Sequence, residues 1–107
     1  MIYEGRLVKV IRGMEGEWTS RAFNGFFPMV KKHGGKPIGA FQTVIGNSED
    51  FYIVMQFDSL AHREKVFKAM AKDPEFQKLE ESWKKVVTLS NIYTTMIKTV
   101  SPPSAKK

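Results

Sequence analysis

The chain opens on an alternating pattern. Ile2, Val8 and Val10 fall on one face of an extended segment together with Glu4 and Arg6, while Tyr3, Leu7 and Ile11 fall on the other. That alternation predicts a strand over residues 1–11. Gly13 and Gly16 mark a turn. From Glu17 the spacing changes: Trp18, Ala22, Phe26 and Val30 recur every four residues, and Phe23 and Phe27 widen the stripe, as in an amphipathic helix. His33-Gly34-Gly35 ends that helix, glycine suiting the left-handed position beyond a helix C-terminus. Pro28 conflicts with it. A proline ring clashes with the carbonyl one turn back, so the helix is expected to kink or divide there.

Lys36 to Ile45 reads as a second strand with proline near its start, where an edge strand tolerates one. Gly46-Asn47-Ser48-Glu49-Asp50 has hairpin-loop chemistry. Phe51 to Phe57 is almost continuously apolar, the signature of a strand buried on both faces. Asp58-Ser59 caps a second helix with Leu60, Phe67 and Met70 as its apolar stripe, and Asp73-Pro74 restarts it. Phe76, Leu79, Trp83 and Val86 share a face after that restart. Thr88 to Val100 is a last β-prone run. One domain over residues 1–100 and a loose tail over residues 101–107 are expected, with no repeat or linker.

The order β-α-β-β-α-β is that of a ferredoxin-like α+β fold with an antiparallel sheet. Right-handed crossovers place the first and third strands side by side in its centre. Both helical segments can cover only one sheet face, yet Tyr52 and Val54 in the third strand, and Phe41 and Ile45 in the second, make the other face apolar as well. A second copy of the sheet would cover it, so a homodimer is expected.

Composition narrows the class. The 107 residues suit one small domain, and 26% charged against 42% hydrophobic residues is globular composition. The longest apolar run, Phe51 to Met55, is far below the ~20 residues of a membrane helix. Glu4, Arg6 and Lys9 interrupt any secretory signal, and a cytoplasmic location is the default expectation. No cysteine is present, which excludes disulfides and thiolate chemistry.

The net charge of +6 raises nucleic acid as a partner. RNA-recognition motifs share this element order, but their third strand opens on a cation, a glycine and stacking aromatics. Here that run is Asp50-Phe51-Tyr52-Ile53-Val54-Met55-Gln56-Phe57: an acid replaces the cation, the glycine is missing and Val54 takes a stacking position. RNA binding is not expected.

Few residues carry candidate chemistry. Glu4 and Arg6, two apart on a strand, leave the same sheet face, and either pair with each other or orient a polar ligand. Arg63, one turn into the second helix, is a possible third member if it faces the sheet. His33 either caps the first helix or lines the pocket. His62 and Glu64 sit two apart on a helix and point apart, so no metal site is expected. No nucleotide-binding glycine motif or nucleophile triad is present, and no cofactor is expected.

Four segments together resemble one family. Met1-Ile2-Tyr3-Glu4-x-Arg6, Lys32-His33-Gly34-Gly35, Phe57-Asp58-Ser59-Leu60-Ala61-x-Arg63 and Asp73-Pro74-Glu75-Phe76 occur in the order of the NIPSNAP family, over Met1 to about Thr99. The resemblance implies the dimeric α/β-barrel form of the ferredoxin-like fold, related to cofactor-independent antibiotic-biosynthesis monooxygenases. It implies no catalytic residues. The expected role is small-molecule binding at a pocket marked by Glu4, Arg6, Arg63 and His33. A cofactor-independent monooxygenase or a protein-interaction module are the alternatives.

Overall fold

A computed structural model describes residues 1–88 and 93–100; the expected tail at 101–107 lies outside the described residues. Strand β1 (Ile2–Lys9) leads into α1 (Glu15–Arg21), a π-helical turn (Ala22–Phe26) and α2 (Phe27–Lys32). Strands β2 (Lys36–Gln42) and β3 (Asp50–Phe57) follow, then α3 (Leu60–Ala71), α4 (Pro74–Trp83) and β4 (Tyr93–Lys98). The antiparallel sheet has the order β2-β3-β1-β4, with the first and third strands central as the crossover rule requires. The fold is the ferredoxin-like α+β arrangement.

Register sorts the side chains. Ile2, Glu4, Arg6 and Val8 of β1 stand opposite Phe57, Met55, Ile53 and Phe51 of β3, and this face meets the helices. Its four β3 residues are all buried, and they pack with Trp18, Ala22, Phe26, Val30, Val66 and Met70 as one core. Gly35 enters that core at close range: a Cβ there would lie 2.6 Å from Val30 Cγ1 and 2.8 Å from Phe57 Cε1.

The division expected at Pro28 takes the form of a π turn between α1 and α2. The π turn precedes the proline, with the Phe27 amide donating to the Ala22 carbonyl five residues back and helical dihedrals on both sides of the turn. The proline then falls in the first turn of α2, where a missing N–H is tolerated. Phe23 loses its place on the buried stripe and is exposed. Strand β2 stops at Gln42, because the chain turns out of the sheet beyond Thr43; Val44 and Ile45 stand 95% and 94% exposed. In α3 the buried stripe is Val66 and Met70 with Phe67 beside them, and Leu60 is exposed.

Both caps read from sequence are formed. Ser59 Oγ accepts the His62 amide at 3.1 Å, and Asp73 Oδ1 accepts the Glu75 amide at 3.0 Å. No helix among the described residues is long and apolar enough to cross a membrane.

Candidate functional site

Strand alternation places Glu4 and Arg6 on the helix-facing side of β1, one of the two central strands. Glu4 is fully buried there. A lone carboxylate in that position would protonate or destabilise the fold, so partners are required. Arg6 Nη2 donates to Glu4 Oε2 at 2.9 Å. Arg63, from the start of α3, donates from Nε to Oε1 at 2.9 Å and from Nη2 to Oε2 at 3.2 Å, the two-pronged geometry that guanidinium and carboxylate planes favour. Burial alone pushes the Glu4 carboxyl up. The hydrogen bonds from Arg63 and the charge and hydrogen bond of Arg6 outweigh it, and the net displacement is downward. Glu4 is therefore ionised at neutral pH, and Arg63 is held more firmly protonated by the same bonds.

The guanidiniums are also packed. Arg63 Cζ lies 4.6 Å from the centroid of Phe67, and Arg6 Cζ lies 5.4 Å from Phe67 and 5.7 Å from Phe26. Arg6 Nε is buried without a hydrogen-bond partner among the described residues.

Arg6 is the charged floor of a cavity of about 400 Å³ between the sheet, the π turn and α4. Its walls are Phe26, Phe76, Leu79 and Trp83. Phe26 sets the arrangement, its ring centroid 6.4 Å from Phe76 and 5.9 Å from Trp83. Gly25 brings α4 against the π turn, since a Cβ there would stand 2.8 Å from Leu79 Cδ1. Exposed Gln77, Glu80, Glu81 and Lys84 form the mouth, with Lys84 Nζ 3.3 Å from Glu81 Oε2. A volume of this size with apolar walls and one convergent charge is the usual form of a small-molecule pocket, about 300–1,000 Å³.

The fold thus brings three of the four expected residues together: Glu4, Arg6 and Arg63. His33 is placed elsewhere. It ends α2, and its Nε2 lies 2.8 Å from Asp73 Oδ2, which also accepts Lys32 Nζ at 2.9 Å. These contacts and the Glu75 amide hold the Asp73 carboxyl down at about 2. This cluster ties the end of α2 to the start of α4, and His33 lines neither the cavity nor the triad. Of the cavity walls, the sequence shows Phe76, Leu79 and Trp83 on one helical face and Phe26 on another. The signal for Arg63 was present: it precedes Val66, Phe67 and Met70 by three, four and seven residues, a polar residue inside an apolar helical stripe. No group of three possible metal ligands occurs among the described residues.

A family model described as NIPSNAP matches residues 3–102. No curated protein matches the chain. Among solved structures, an uncharacterized NIPSNAP domain protein from Burkholderia xenovorans superposes with a TM-score of 0.84 at 14% identity, covering 94% of this chain and 96% of that one. A NIPSNAP family protein from Agrobacterium tumefaciens gives 0.82 at 19% identity, over 96% and 98% of the two chains. A putative antibiotic biosynthesis monooxygenase from Nitrosomonas europaea gives 0.69 at 6% identity, over 94% and 100%. At these identities the likenesses show a shared fold.

Proposed function

The chain belongs to the NIPSNAP family, and we propose that it binds a small organic molecule in the cavity between α4 and the sheet, working as a homodimer in the cytoplasm. The observation that carries the reading is the cavity itself, with apolar side chains on its walls and at its floor Arg6, paired to the buried Glu4. A space of about 400 Å³ with apolar walls and one charged group at its floor suits an apolar ligand with one polar end. The likeness to a putative monooxygenase brings a fold and no reaction.

The test is thermal stabilisation by a panel of aromatic and alicyclic compounds. A ligand at a hundred times its Kd adds about 2.7 kcal/mol, and for a domain of this size each kcal/mol raises Tm by about 4–8 °C. The reading requires such a shift in the wild type and its loss in Leu79→Trp, which fills the cavity. A shift that survives Leu79→Trp refutes it.

The dimer rests on the other sheet face. Phe41, Tyr52, Leu7 and Tyr93 are cross-strand neighbours and make one unbroken apolar row over all four strands. Phe41, Tyr52 and Tyr93 are exposed. The next row, Gly39-Val54-Gly5-Thr95, is low, so a facing sheet could approach closely. A second copy supplies the complementary surface by two-fold symmetry.

A further inference from the structure

Resting on the cavity reading, we infer that the ligand is a monocarboxylate carried on a compact apolar body, with its carboxylate on Arg6. Charge is the first argument. Glu4 is shared between Arg6 and Arg63, so the triad holds one carboxylate against two guanidiniums and carries a net positive charge beside the apolar walls of the cavity. Glu64 acts on Arg63 only through space, from an exposed position on α3.

The distribution of bonds is the second argument. Arg63 commits two donors to Glu4, whereas Arg6 commits one, and it is Arg6 that lines the cavity. Arg6 thus keeps hydrogen-bonding capacity for a carboxylate, with its Cζ 5.7 Å and 5.4 Å from the ring centroids of Phe26 and Phe67. The mouth sets the rest. Glu80 and Glu81 stand there with Lys84 as the cation, so a second negative charge at the outer end of the ligand would meet acids. A single charge at the floor and an apolar remainder against Phe76, Leu79 and Trp83 satisfies both ends.

The probes are 2-naphthoate and 2-naphthamide, which differ in charge and hardly in shape, titrated by calorimetry into the wild-type protein. The expected result is naphthoate binding at least tenfold more tightly than the amide. Arg6→Gln then weakens naphthoate by tenfold or more and leaves the amide within about threefold; tenfold corresponds to about 1.4 kcal/mol. Should Arg6→Gln not fold, the wild-type ratio together with Arg6→Lys, expected to retain a preference for naphthoate, decides the matter. Equal affinity for the two probes, both lost in Leu79→Trp, overturns the monocarboxylate and leaves the cavity reading intact. Naphthoate affinity that persists in Leu79→Trp places the anion on the basic surface and overturns the inference. Neither probe binding overturns both.

Discussion

Replacing Glu4 by glutamine tests whether the triad is the polar keystone of the fold. Glu4 is wholly buried and accepts three guanidinium hydrogen bonds. Removing one partner from a fully buried ion pair costs about 3–5 kcal/mol, mostly because the other charge is left uncompensated. Here the Arg6 and Arg63 side chains keep 22% and 28% exposure, so water recovers part of each cation, and the expected loss is about 2–3 kcal/mol. At about 4–8 °C per kcal/mol, Tm should fall by roughly 10–20 °C. The ranking is as informative as the size. Arg63→Gln removes two of the bonds and should cost less than Glu4→Gln; Arg6→Gln removes one and should cost least. In a Glu4→Gln background the further cost of Arg6→Gln should shrink or change sign, since that arginine has already lost its carboxylate. Urea unfolding at one fixed protein concentration measures all four variants. A Glu4→Gln loss equal to or below that of Arg6→Gln would refute the triad as the source of stability.

Three other expectations are independent of it. The Asp73 carboxyl is held at about 2 against an ordinary 3.8, so its contribution is complete above 3.8 and is lost as pH falls from there towards 2; the stability difference between wild type and Asp73→Asn should be flat at neutral pH and vanish over that window, and a pH-independent difference would contradict the assignment. Gly35→Ala drives a methyl into Val30 and Phe57 and should cost about 1–3 kcal/mol, whereas Gly25→Ala meets only the end of the half-exposed Leu79 and gains helix propensity, so it should stay within about 1 kcal/mol of wild type in the same melts. Tyr52→Glu at the centre of the outer apolar row should yield a folded monomer in sedimentation, and a wild-type protein that is itself monomeric at micromolar concentration would remove the dimer.

Much of the fold was legible because it rests on local rules. Alternation put Glu4 and Arg6 on one face, and strand β3 read as an apolar run, although only its helix-facing side is buried and Tyr52 on the other is exposed. Ser59 and Asp73-Pro74 announced the starts of α3 and α4. What failed were positions where a local preference yields to the path of the chain. Val44 and Ile45 have strand-like side chains, but the loop after Thr43 leaves no neighbouring strand for them to pair with. The partner of Glu4 was less visible for another reason: Arg63 lies 59 residues away, and only the docking of α3 on the sheet brings its guanidinium to the carboxylate.

One residue, Pro28, made the first helix ambiguous. A constant helical period cannot accommodate Pro28, and a reading that assumes one must break the helix. The chain instead widens one turn, and the extra residue in the π turn changes which side chains face inward. Phe26 and Phe27 are buried, where the four-residue stripe already placed them, and only Phe23 is turned out. Phe26 thereby stands over Arg6 and against Phe76 and Trp83, and Gly25, in the same turn, admits Leu79. One wall of the cavity is thus a consequence of how the backbone absorbs a proline. The residues that form it carry no motif of their own; spacing marks them as apolar helix faces and does not show that a space is left between them. The charged floor obeys the opposite logic: it lies on a regular strand, where a period of two suffices to find it.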